Sequence, residues 1–132
     1  MGAGVAVDCA VRYPEITTLY GKFCIKNQSI YPHPIFIHQD EYTKKVLVLM
    51  ATKPLNKENP HISWKYPADI DLIRSGLDQL VATDFSAFGV DTVVIPMVGC
   101  GRGGLNEDLV LPIMLRKLDN RFILVDTKLV QK

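Results

Sequence analysis

Residues 91–114 read DTVVIPMVGCGRGGLNEDLVLPIM, and three kinds of chain follow one another within them. Val93 to Val98 is an apolar, β-branched run of the kind that forms a strand. Gly99, Gly101, Gly103 and Gly104 then crowd into a turn, with Cys100 and Arg102 between them. Asn106 is a good helix cap, and Glu107 and Asp108 suit the positive end of a helix dipole. The expected buried side of that helix is Leu109, Val110, Ile113 and Leu118. A strand, a glycine turn and a capped helix in this order predict an α/β layer fold. Glycines let backbone come close to a ligand, and successive N–H groups before a helix favour an anion, typically phosphate. No Lys-Ser or Lys-Thr follows the glycines, so the nucleoside-triphosphate loop pattern is not met.

The same alternation extends outward. RFILVD at 121–126 reads as a last strand. Upstream, residues 67–88 predict a helix with Pro67 in its first turn and Ile70, Ile73, Leu77, Leu80 and Val81 on one face. Residues 52–66 are polar and hold two prolines, which predicts a long loop. KKVLVLMA at 44–51 is apolar on both faces and reads as an interior strand. PIFIHQ at 34–39 is a shorter strand, and Ile16, Leu19, Tyr20 and Phe23 follow helical spacing. Gly4 to Tyr13 predicts a short helix ended by Pro14, with Val7, Ala10 and Val11 on one side. MGAG at 1–4 is a second glycine turn before a helix, with no strand ahead of it. Two such turns suggest one ligand with two phosphates gripped between them.

With 132 residues, the chain is expected to form one domain, residues 1–132. Hydrophobic residues at 48% and charged residues at 22% fit a soluble globular protein. The net charge of +1 gives no global pull toward nucleic acid or membrane, so a nucleic-acid partner would need a local basic patch. Cys9, Cys24 and Cys100 are odd in number and form no CxxC pair, which points to a reducing, cytoplasmic setting. Asp8 interrupts the apolar start, so it does not read as a signal peptide, and VLVLMA is too short to span a bilayer. His33, His38 and His61 lack metal-ligand spacing and read as surface or edge residues. Cys100 reads as a small packing residue rather than a nucleophile, since no histidine is placed to activate it. Trp64 has two readings, a stacking platform for a base or sugar and a cover for the core. Lys53 stands just after the interior strand, where sheet ligands are met. On position alone it reads as an exposed surface lysine, with a phosphate contact or a nucleophile as the alternatives.

MGAGVAVDCAVRYPE, MATKP, SWKYPADIDLIRSGLDQL and IPMVGCGRGGLNEDLVLPIM come in the order and spacing of a macro domain, the ADP-ribose-binding module. The resemblance covers nearly the whole chain. It is strongest to the branch holding ADP-ribosyl-glutamate hydrolases, the antitoxin that removes ADP-ribose from DNA, and ADP-ribose-1″-phosphate phosphatases. It implies a three-layer α/β/α fold with a mixed sheet. It also implies a first ligand loop of Gly2, Ala3, Gly4, Val5 and Ala6, and a second of Val98, Gly99, Cys100, Gly101, Arg102, Gly103 and Gly104. Lys53 falls where the glycohydrolases carry a catalytic lysine that acts on the distal ribose. The implied function is hydrolysis of an ADP-ribosyl linkage on DNA or protein. A phosphatase acting on ADP-ribose-1″-phosphate and a binding-only reader are the alternatives. No metal or organic cofactor and no membrane are implied. Gly103 stands where the glutamate hydrolases have aspartate, which tilts the resemblance toward the DNA-directed antitoxin. The family's first strands have no counterpart before Gly2, so an N-terminally shortened sheet with an exposed edge is expected.

Overall fold

A computed structural model describes residues 9–30, 32–54, 58, 66–101 and 103–125. Residues 9–12 form a helical turn, closed where the Tyr13 N–H donates to the Cys9 carbonyl at 2.9 Å. The remainder of the short helix expected from Gly4 lies outside the described residues, and Val11 is exposed. Helix α1, Glu15–Lys26, starts directly after Pro14 and buries Ile16 completely. Its Tyr20 and Phe23 rings lie against Phe36, with centroids 5.8 and 4.9 Å away.

Phe36 opens strand β1, Phe36–Gln39, which pairs antiparallel with β2, Val46–Leu49. Successive side chains of a strand point to opposite faces. Phe36 therefore meets α1, while Ile37 turns the other way into the main core. The turn between the strands is closed by Asp40, a buried carboxylate. Its Oδ2 accepts from the Thr43 N–H and from Thr43 Oγ1, both at 2.8 Å. These bonds favour the charged form and hold the carboxyl below its ordinary pKa. Lys44 takes a positive φ of 63°, and the Asp40 N–H donates to the Lys45 carbonyl at 2.9 Å. All four residues of β2 are half-buried, and β1 is its strand partner among the described residues.

Helix α2, Ile70–Ala82, presents Leu72, Ile73, Gly76, Leu77 and Leu80 to the core. It is shorter than the 67–88 expectation at both ends. Asp69, not Pro67, begins it: the Asp69 backbone is extended, and its Oδ1 accepts from the Asp71 N–H at 2.8 Å. At the other end Thr83 leaves the helical conformation, and Asp84 caps a separate 3-10 turn, Phe85–Phe88. The Arg121 guanidinium satisfies the end of α2. Its Nη1 donates to the Thr83 carbonyl at 2.7 Å and its Nη2 to the Val81 carbonyl at 2.8 Å. The same group pairs with Asp119 at 2.8 Å and lies over the Phe85 and Phe122 rings.

Strand β3, Val93–Pro96, pairs in parallel with β4, Phe122–Val125. Helix α3, Glu107–Lys117, connects them, and the Asn106 side chain caps it by accepting from the Asp108 N–H at 2.9 Å. Val110 and Ile113 are buried as expected, but Leu109 is 49% exposed and Met114 takes the core position. Ile95 of β3 joins α2 and α3 in one cluster with Ile73, Leu77, Phe85, Val110 and Met114. Val94 and its neighbour Ile123 face the other way and are largely exposed. The pairing is thus mixed, antiparallel in one ladder and parallel in the other, with α1 on one side of β1 and α2 and α3 on the other. No helix among the described residues is long and apolar enough to cross a membrane.

Candidate functional site

The loop from Val98 to Leu105 leaves the carboxyl end of β3 and delivers the chain to α3. Two backbone bonds fold it on itself. The Leu105 N–H donates to the Gly99 carbonyl at 3.0 Å, and the Gly104 N–H to the Gly101 carbonyl at 3.1 Å. Its four glycines have different physical grounds. Gly99 has a φ of +73°, and a Cβ there would lie 2.6 Å from Ile73 Cδ1. A Cβ on Gly103 would lie 2.5 Å from the Gly99 carbonyl oxygen and 2.8 Å from Ala68 Cβ. At Gly101 and Gly104 a methyl would have no neighbour within 4 Å among the described residues, and Gly104 has a φ of +77°. Two glycines therefore let the loop seat on α2 and its approach, while two leave its outer backbone bare.

Gly103 has a direct consequence for chemistry. An aspartate, as found at this position in glutamate-directed hydrolases, would need the space that the Gly99 carbonyl fills. On this backbone the loop supplies amide groups and no acid at that point. Cys100 is half-buried and packs against the core, and its Sγ donates to the Val98 carbonyl at 3.4 Å.

Lys53 lies four residues beyond the end of β2 and is half-buried rather than exposed. The chain that brings it to the glycine loop is the Ala68–Asp69 pair. The Asp69 N–H donates to the Thr52 carbonyl at 2.7 Å, and the Ala68 N–H donates to the Gly103 carbonyl at 2.9 Å. In extended backbone successive N–H groups point to opposite sides, so two adjacent residues can bond two different segments. Ala68 is 7% exposed, and its methyl supports Gly99 and Gly103 from beneath. The segment that carries Lys53 and the glycine loop are therefore joined, at Thr52 and Gly103, by one two-residue bridge.

Gly2, Ala3, Gly4, Val5, Ala6 and Arg102 lie outside the described residues, as do His61 and Trp64. His33 is not a surface residue. It is half-buried, with its ring edge-on to Tyr20 and Phe23 and its Nε2 3.7 Å from Cys24 Sγ. Burial pushes the His33 pKa down and the Cys24 and Tyr20 pKa values up, so the cluster holds neutral groups. His38 stacks on Phe36 in strand β1. Among the described residues no three His, Cys, Asp or Glu side chains gather into a metal site. The bridge residues Thr52, Ala68 and Asp69 are not among the site residues that the sequence suggests. A signal for Asp69 is nevertheless present: an aspartate directly ahead of the apolar-periodic run is a helix start.

No protein-family model matches the chain. It is 26% identical over 126 residues to the DNA ADP-ribosyl transferase–DNA ADP-ribosyl glycohydrolase fusion protein of Thermosipho africanus, covering 89% of this chain and 32% of that protein. It thus spans about a third of the length of that relative. The solved structure of Thermosipho africanus DarTG in complex with ADP-ribose superposes with a TM-score of 0.73 at 24% identity, over 93% of this chain and 34% of that one. The macrodomain of Mycobacterium tuberculosis DarG superposes with a TM-score of 0.71 at 25% identity, over 94% of this chain and 79% of that one. The fold is that of a macro domain.

Proposed function

We propose that this macro domain binds ADP-ribose and hydrolyses an ADP-ribosyl linkage, with ADP-ribosylated DNA as its substrate. The observation that supports the reading is the bridge from Thr52, the residue before Lys53, through Asp69 and Ala68 to Gly103 of the glycine loop. The similarity to a DNA ADP-ribosyl glycohydrolase fusion protein and to a structure holding ADP-ribose supports the substrate class.

In this reading the backbone N–H groups of the glycine loop that its own folding does not use hold the diphosphate, aided by the N-terminus of α3. Bare glycine backbone at Gly101 and Gly104 allows the close approach. Lys53 acts at C1″ of the distal ribose in one of two ways. It donates a proton to the DNA group that leaves C1″ while water adds to that carbon, or its amine displaces that group and water then cleaves the lysine–C1″ bond. Free ADP-ribose and unmodified DNA are the products in both cases. The absence of room for an acid at Gly103 favours a lysine-centred mechanism over a lysine–aspartate pair. Its three cysteines, none of them in a disulfide, suit a cytoplasmic setting, and residues 1–132 act as one domain.

Lys53→Ala is expected to lower release of ADP-ribose from an ADP-ribosylated oligonucleotide by about 100-fold or more, while free ADP-ribose still binds by calorimetry. Unchanged turnover in this variant rejects the role of Lys53. Release of inorganic phosphate from ADP-ribose-1″-phosphate, independent of Lys53, would assign the domain to phosphatase chemistry instead.

A further inference from the structure

We infer that Asp69 is a positioning residue for this site, acting through the bridge rather than on the substrate. The inference rests on the reading of Lys53 and the glycine loop given above. Lys53 follows Thr52, whose carbonyl is held by the Asp69 N–H at 2.7 Å. The loop is held by the Ala68 N–H on the Gly103 carbonyl at 2.9 Å. The relative position of the two halves of the site is therefore set by the backbone of two adjacent residues. What fixes that backbone is the Asp69 side chain. Its Oδ1 accepts from the Asp71 N–H at 2.8 Å, which holds Asp69 at φ −104° and ψ 120°. The Asp69 carbonyl accepts from the Ile73 N–H at 3.1 Å, so the bridge is continuous with the first turn of α2. Helix α2 is seated in turn by Ile73, which is fully buried and lies under Gly99. One carboxylate thus ties helix, lysine segment and loop into a single rigid unit. Small errors in the placement of a reacting group cost large factors in rate, so this unit should matter more to kcat than to binding.

Three substitutions at one position separate positioning from stability. Asn and Ser cap helices as well as Asp does. Asp69→Asn should therefore keep kcat near wild type, and Asp69→Ala should lower kcat about tenfold with KM little changed. Glycine is tolerated at a cap with little loss of helix stability but leaves the backbone free. Asp69→Gly should then lose kcat like Asp69→Ala while its melting temperature stays near wild type. The measurements are kcat and KM on an ADP-ribosylated oligonucleotide and thermal unfolding of each variant, at a temperature where all are folded. If Asp69→Ala does not fold, the Asp69→Gly and Asp69→Asn pair decides. Wild-type kcat in Asp69→Gly overturns the inference and leaves the assignment of Lys53 standing. A wild-type chain that neither binds ADP-ribose nor releases it overturns the functional reading, and the positioning role falls with it.

Discussion

The turn at Asp40–Lys45 and the loop at Gly99–Leu105 solve the same problem with different side-chain content. Each must reverse or redirect the chain after a strand, and each must satisfy the backbone groups that leave the ladder. In the first, side chains reinforce two backbone bonds. The Asp40 N–H donates to the Lys45 carbonyl and the Lys44 N–H to the Asp40 carbonyl, both at 2.9 Å. Asp40 takes two bonds from Thr43, and Gln39 Nε2 donates to the Lys44 carbonyl at 3.1 Å. In the second, backbone bonds close the loop on itself, Cys100 Sγ adds a bond to the Val98 carbonyl, and Ala68 and Ile73 lie beneath its glycines. The first turn uses its carboxylate on its own backbone and buries it. The second places side-chain-free glycine backbone at its surface, the kind of backbone that an anionic ligand can approach closely.

The sharpest way to break this contrast is Gly103→Ala. The new methyl meets the Gly99 carbonyl, and a backbone atom cannot swing aside as a side chain can. A loss of about 1–3 kcal/mol in stability is expected, together with loss of ADP-ribose binding. Native stability and affinity in this variant would show that the loop does not depend on the close approach to Gly99. Asp40→Ala is the counterpart in the first turn. It should lower the melting temperature and leave ADP-ribose affinity unchanged, since the turn serves the ladder and not the site. Because the folded-state pKa of Asp40 is depressed, its contribution is present above the unfolded value of about 3.9. It is lost as pH falls through the folded value. Unfolding curves from pH 6 downward should therefore converge for wild type and Asp40→Ala. Curves that stay parallel into acid would remove the carboxylate from the account. Gly101→Ala should disturb the fold least, within about 0.5 kcal/mol, because a methyl there meets no described residue within 4 Å. Its expected effect is on ADP-ribose affinity alone, read by calorimetry. A destabilised but fully binding variant would reverse the roles assigned to the two glycines.

These divisions show what the sequence could convey. Asn106 followed by two acids is a local signal, and the cap forms as expected. Pro67 is a plausible first-turn residue, yet the Asp69 side chain starts the helix two residues later, and the Ala68 N–H is needed at Gly103. That competing demand comes from a residue 35 positions away and leaves no trace in local pattern. The end of α2 shows the same limit: apolar residues continue through Phe85, but the helix stops at Thr83, where Arg121, 38 positions on, takes up the Val81 and Thr83 carbonyls. Leu109 and Met114 both fit an amphipathic stripe, and only the direction of the core distinguishes them. Four glycines among the six residues from Gly99 to Gly104 mark a turn with little side-chain cover. Which of them touch protein depends on Ala68 and Ile73, whose proximity is tertiary.

Helix α2 gathers long-range partners along its whole length. Gln79 receives the Ile35 N–H at 2.9 Å and donates to the His33 carbonyl at 3.0 Å, while Gly76 lies against Met50 and Arg121 closes the last turn. Among the described residues the two ladders share no strand pairing. The two ladders are therefore coupled through α2 rather than through a shared strand: segments flanking the β1–β2 hairpin hold its middle, and the glycine loop rests on Ile73 in its first turn.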